Sequence, residues 1–179
     1  MRMFRNGPFL GGVVLAAMMV FHPHPESRAQ APGAVLTARD LIGMSGPELE
    51  ALYRGGAAVG LPAGRVRGTA LPAPGSRRNG AMSAGARLVW QGKTIDPSGA
   101  SATNRFFGLP MIRGQLYQGQ SWLDGGPAVI LDYAETSRVY AQNRDEIRQI
   151  APGLYLGLMY GRTEPQPTLK LYFVLEAGD

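Results

Sequence analysis

Cysteine is absent from this chain of 179 residues, and histidine occurs only twice, at His22 and His24. Lysine is nearly as rare: of 18 basic residues only Lys93 and Lys170 are not arginine. Without cysteine there is no disulfide, no acylated lipoprotein anchor and no thiolate chemistry, so the fold must be held by core packing. Long apolar runs are scarce too. The longest, residues 8–21, is too short to span a bilayer comfortably and follows the basic start Met1-Arg2-Met3-Phe4-Arg5. That order is the pattern of a secretory signal peptide, with Ser27-Arg28-Ala29 placing small residues at the two positions a signal peptidase inspects. Cleavage after Ala29 is expected, with an uncleaved N-terminal anchor as the alternative and a periplasmic or secreted location as the consequence.

Loss of residues 1–29 would remove both histidines, three basic residues and one acidic residue, lowering the formal net charge from +5 to +3. A Ser-His-Asp triad, a Cys-His pair, a histidine proton shuttle and a Cys/His zinc site would then all lack their side chains. Carboxylate, tyrosine or lysine acid/base chemistry remains, as does a hard cation on oxygen ligands. No calcium loop and no glycine-rich phosphate loop occurs, so no cofactor and no metal are expected. Arginines 65, 67, 77, 78, 87, 105 and 113 are scattered and not interleaved with aromatics, which is not the footprint of a nucleic-acid binder. Abundant Arg, Ala, Gly and Pro together suit a GC-rich genome.

What is present fits a single soluble globular domain: 45% hydrophobic residues, mean hydropathy −0.09, and 25 glycines with 14 prolines that imply short elements and tight turns. Residues 30–44 read as an N-terminal extension and 45–179 as the domain. Ser45-Gly46-Pro47-Glu48 is a capping box that opens a short helix through Leu49, Leu52 and Tyr53, ended by Gly55-Gly56. Residues 65–71 read as a strand, and 74–85 as a mobile loop. Strand-like segments follow at 86–93, 103–107, 111–117, 128–133, 154–162 and 168–176, the last with clear period-two alternation. Residues 137–150, with Val139, Tyr140, Asn143, Ile147 and Ile150 at helical spacings, read as a helix. Six or seven strands with two small helices predict a mainly β (α+β) fold, an antiparallel β-barrel or half-barrel.

Trp90-Gln91-Gly92-Lys93, Ser121-Trp122-Leu123-Asp124-Gly125, Leu131-Asp132-Tyr133 and Arg144-Asp145-Glu146-Ile147-Arg148, running on to Ala151-Pro152-Gly153-Leu154-Tyr155-Leu156-Gly157, resemble the motif string of a family of uncharacterised bacterial proteins. The resemblance covers about residues 52–173 and implies no particular biochemical role. Leu156-Gly157-Leu158-Met159 and Leu171-Tyr172-Phe173-Val174-Leu175 resemble lipocalin/calycin-like barrels, which implies a cavity for a hydrophobic ligand. The first-strand Gly-x-Trp signature of lipocalins does not occur.

Asp132 lies within the apolar segment Val129-Ile130-Leu131-Asp132-Tyr133, where a carboxylate must be paired, hydrogen-bonded or protonated. Arg105, Arg144 and Arg148 are its candidate partners, and Asp145 or Glu146 with Arg105 is a second candidate pair. Either the pair pins a charged helix to the sheet, or Asp132, Arg105 and Arg144 form a polar group that orients a ligand. Trp90, Tyr117, Tyr133 and Tyr155, with Trp122, Tyr160 and Phe173, supply aromatic bulk for a cavity wall or for a filled core. The leading expectation is binding of a small hydrophobic or amphipathic, lipid-like molecule in the cell envelope, with membrane-surface contact as a further expectation. The alternatives are a cofactor-free isomerase or cyclase using Asp132 or a tyrosine, and a solid-core interaction module.

Overall fold

Reciprocal caps set the first two helices. The Asp40 carboxylate accepts from the Thr37 amide (2.9 Å) and hydroxyl (2.6 Å), opening α1 (Ala38–Ile42). Glu48 accepts likewise from the Ser45 amide (2.7 Å) and hydroxyl (2.6 Å), opening α2 (Gly46–Gly55), the helix that the capping box predicts. The computed structural model describes residues 36–178, so the expected leader and its cleavage site lie outside the described residues.

Then follow β1 (Gly64–Leu71), α3 (Asn79–Val89), β2 (Trp90–Ile95), β3 (Ser101–Phe106), β4 (Leu109–Gln120), β5 (Pro127–Asp132), β6 (Asn143–Ala151), β7 (Leu154–Gly161) and β8 (Thr168–Ala177). Each strand pairs antiparallel with the next, and β8 returns to β1 in register from Val66↔Ala177 to Leu71↔Tyr172. The result is a closed barrel of eight strands, of the kind expected for a lipocalin/calycin-like fold. Eight strands enclose an interior just wide enough to be filled by side chains or to hold one small ligand. No helix among the described residues is long and apolar enough to cross a membrane.

The structure corrects three local expectations. The helix expected over 137–150 is turn up to Gln142 and then strand β6. Arg144, Glu146 and Arg148 project outward yet are buried beneath Trp122 and Tyr53, which produced charge at helical spacing in a strand covered on both faces. The loop expected over 74–85 contains the start of α3, and residues 86–89, expected to be strand, are its last turn. No side chain caps α3 at Arg78. Asn79 anchors it instead, accepting from the Ala73 amide (3.0 Å) and donating to the Ile42 carbonyl (2.8 Å) at the end of α1.

Strand parity divides the apolar residues into two cores. Leu154, Leu156, Leu158, Tyr160, Tyr172 and Val174 face outward and pack with Leu41, Leu49 and Tyr53, so α1 and α2 cover the outside of β7 and β8. Part of the stretch expected to be an N-terminal extension therefore belongs to this core. Val66, Ile95, Ala102, Val129, Leu131, Ile147, Tyr155 and Leu175, drawn from all around the barrel, fill its interior. Most lie toward the end where β2 turns into β3 and β6 into β7, and they close that end.

Outside the barrel, Arg148 donates to both Asp124 oxygens (2.8 and 2.7 Å) and to the Pro127 carbonyl (2.8 Å), with its guanidinium over the Tyr53 ring. The bonds from Arg148 hold the Asp124 carboxyl below its ordinary value of 3.8, against the opposing effect of burial. A depressed folded-state pKa adds stability that is complete above the unfolded value and is lost as pH falls through the folded one. Stability should therefore decline below about pH 4, and Asp124→Asn should flatten that limb of a plot of melting temperature against pH.

Candidate functional site

A cavity of about 360 Å³ occupies the half of the barrel that the interior core leaves unfilled. It lies toward the end formed by the β1–α3 connection, the β3–β4 turn and the 133–142 segment. Phe106, Tyr140, Met159, Leu171 and Phe173 are among its apolar lining residues, as are Ala86 and Val89 of α3. Glycine makes room for two of its rings. The Phe173 ring occupies the space a side chain would take at Gly157, and the Trp90 indole does the same over Gly68. The two rings meet edge to face at 5.6 Å.

One polar cluster interrupts this wall. Lys93 Nζ donates to Asn104 Oδ1 (2.7 Å), Asp145 Oδ2 (2.8 Å) and Tyr133 Oη (3.1 Å), which uses all three ammonium hydrogens. Tyr133 donates its hydroxyl hydrogen to Asp145 Oδ2 (2.7 Å) and accepts from Asn104 Nδ2 (2.7 Å). Trp90 Nε1 adds a bond to Asn104 Oδ1 (3.0 Å). None of Lys93, Asn104, Tyr133 and Asp145 exceeds 3% exposure. Lys93 Nζ also lies 5.1–5.9 Å from the ring centroids of Trp90, Tyr133 and Phe173. Burial disfavours the ammonium and lowers the Lys93 pKa, with Asp145 opposing the shift. Burial, with the neighbouring Asp145 charge, keeps the Tyr133 hydroxyl protonated well above pH 10.

Local backbone geometry brings Trp90 and Lys93 to the same side of β2. Three residues apart in a regular strand, they would face opposite ways. The pairing of β2 with β3 slips between Trp90 and Lys93, where Gly92 has φ +109°. At this bulge the β2 backbone runs so close to β1 that a Cβ on Gly92 would collide with the Val66 carbonyl and the Gly68 amide.

Of the residues singled out in the sequence, Trp90, Tyr133 and Phe173 line the cavity. Tyr155 lies in the interior core, with its hydroxyl 3.4 Å from the Gly60 carbonyl, and is not among the cavity's lining residues. Asp132 is on the outer face, where it accepts from Arg162 (2.6 Å to each oxygen) and from the Tyr117 hydroxyl (3.0 Å). Its expected pairing with Arg105, Arg144 or Arg148 is thus corrected. Arg144 binds Glu146 (2.8 Å) outside the barrel, Arg148 binds Asp124, and Arg105 donates to the Gly108 carbonyl at the β3–β4 turn. The expected pair of Asp145 or Glu146 with Arg105 is likewise replaced by Asp145 with Lys93 and Glu146 with Arg144. Tyr117, Trp122 and Tyr160 are also on the outside, Trp122 lying between the guanidinium groups of Arg144 and Arg162. Sequence reasoning missed Lys93 and Asn104; the available signal was the rarity of lysine, which makes one in a strand-like segment conspicuous.

Exposed apolar residues lie on the two elements that carry the lining residues Phe106, Ala86 and Val89. Phe107 and Leu109 at the β3–β4 turn and Met82, Leu88 and Val89 on α3 are all exposed, and the Phe107 amide donates to the Val89 carbonyl (2.9 Å), joining the two elements. Phe107 and Gly108 both have positive φ, 51° and 82°, as the two central residues of a type I′ hairpin turn do.

No protein-family model and no curated protein matches the chain. The barrel is similar to the crystal structure of a protein from Thermomonospora curvata, with a TM-score of 0.50 and 18% identity over 76% of this chain and 90% of that one. At that identity the likeness concerns the fold alone.

Proposed function

We propose that the barrel binds one small, largely apolar molecule that carries a single uncharged polar group. The observation that carries this reading is the cavity itself: apolar walls and one fully hydrogen-bonded polar cluster, the composition typical of small-ligand sites. Its volume is near the lower end of the range of such sites. The Asp145 carboxylate already neutralises Lys93, so the cluster offers no spare positive charge to a carboxylate or phosphate headgroup. A hydroxyl, which can donate to the second oxygen of the Asp145 carboxylate, suits it better. The place proposed for this activity is the cell envelope, on the strength of the leader read in residues 1–29, with the exposed apolar residues of α3 and the β3–β4 turn as the route by which a lipid-like ligand enters.

Titration with decanol, followed by tryptophan emission, tests the reading. Trp90 lines the cavity whereas Trp122 is outside it, so a saturable change that disappears in Trp90→Phe is expected. Met159→Trp, which fills the cavity from β7, should abolish saturable binding when measured by native mass spectrometry. Absence of saturable binding to the wild-type protein would favour the interaction module instead.

A further inference from the structure

Lys93 is the one basic residue among those lining the cavity, in a chain that uses arginine for nearly every other positive charge. The difference is chemical, because a guanidinium stays protonated in proteins whereas a buried lysine can give up its proton and become a nucleophile. The acceptor is already in place: Asp145 Oδ2 lies 2.8 Å from Nζ and also accepts the Tyr133 hydroxyl. In a dry site, transferring that proton converts two buried charges into a neutral amine and a neutral acid, which reduces the cost of burying them.

Resting on the ligand-site reading above, we propose that the cavity takes an apolar aldehyde or ketone and that Lys93 binds it covalently as a Schiff base. The Lys93 ammonium first passes one proton to Asp145. The amine lone pair then attacks the carbonyl carbon, forming the C–N bond while the C=O π pair moves onto oxygen. A second nitrogen proton is relayed through the Tyr133 hydroxyl to that oxygen, giving a neutral carbinolamine. Asp145 returns its proton to the same oxygen, which leaves as water as the nitrogen lone pair forms the C=N bond. Of the three ammonium hydrogens, two depart in water and one stays on the iminium, with Asp145 again a carboxylate. The step needs no oxidant, reductant or metal. The iminium cation retains the Asp145 counter-ion, and the rings of Trp90, Tyr133 and Phe173 surround the position of its nitrogen. Asn104, paired with Lys93 across β2 and β3, holds Nζ and the Tyr133 hydroxyl together and is a positioning residue.

The test uses the full chain. The protein is incubated with decanal, reduced with sodium borohydride and digested, and the secondary amine is located by peptide mass spectrometry; decanol binding is measured in parallel. The expected result is an adduct on buried Lys93 that exceeds any on exposed Lys170, the internal control for non-specific amine reaction, and that excess decanol suppresses. Lys93→Arg, which keeps the charge beside Asp145, should lose the adduct, whereas Lys170→Arg, outside the cavity, should retain both the Lys93 adduct and decanol binding. Decanol binding to the wild-type protein with decanal trapped only at Lys170 or the amino terminus would overturn the covalent proposal and leave the ligand reading standing. Failure of decanol and decanal alike to bind would overturn both.

Discussion

Replacing Glu146 with alanine is expected to lower the unfolding free energy by about 3–5 kcal/mol, the usual cost of removing one partner of a buried ion pair. Glu146 is fully buried on the outer face of β6, where it accepts from Arg144 (2.8 Å), the Ser121 hydroxyl (2.5 Å) and the Trp122 amide (2.8 Å). Alanine leaves the Arg144 guanidinium buried without its carboxylate and removes the Ser121 and Trp122 anchors of the 121–126 turn, leaving Asp124 with Arg148 to hold it. Glu146→Gln, which retains an acceptor oxygen, should lose distinctly less. Denaturant unfolding of the three proteins gives the comparison. The adjacent carboxylate makes a useful contrast: Asp145 points inward and touches the cavity cluster, so Asp145→Asn should alter ligand chemistry whereas Glu146→Gln should not.

Gly92→Ala is expected to be similarly damaging, costing about 2–5 kcal/mol from left-handed backbone strain together with overpacking. The colliding atoms are the Val66 carbonyl and the Gly68 amide of β1, which cannot rotate away as a side chain does. Relief requires β1 and β2 to separate, or the bulge to revert to regular pairing and turn Trp90 or Lys93 out of the cavity. The expected signature is therefore double: a lower melting temperature, and loss of ligand-dependent Trp90 emission in whatever fraction still folds. Retained Trp90 response at full stability would show that the bulge does not position the site.

These residues also show how far the sequence could be read. Alternation and turn residues located β1, β3, β4, β5, β7 and β8, and the Ser45–Glu48 capping box located α2, because local patterns and tertiary packing agree there. In β6 they disagree. An outward face of Arg144, Glu146 and Arg148 is ordinarily solvated, and only the covering loop with Trp122 and Asp124 and the Tyr53 ring from α2 make it an interior, a long-range fact that no local pattern contains. α3 was hidden for the opposite reason, since it has little local signal and is held by Asn79. At the site, Trp90, Tyr133 and Phe173 were legible as aromatic bulk in strands. Lys93 was not, since period-two reading places it opposite Trp90 and only the bulge at Gly92 reverses that. Asp132 attracted attention as a carboxylate in an apolar strand, but its parity is outward, and its partner Arg162 enters from the end of β7.

Closure of the sheet by β1 and β8 governs how this chain is able to fold and with what it is able to associate. Val66 pairs with Ala177, so the first strand of the barrel waits for the last, and this pairing, the most distant between strands of the sheet, carries the largest loop-closure entropy among them. Until it forms, two unpaired edges are open to strands of other chains, and a chain truncated before β8 keeps both. Once it forms, neither edge remains, so strand addition is unavailable to a partner and recognition of the finished barrel must run through its side chains.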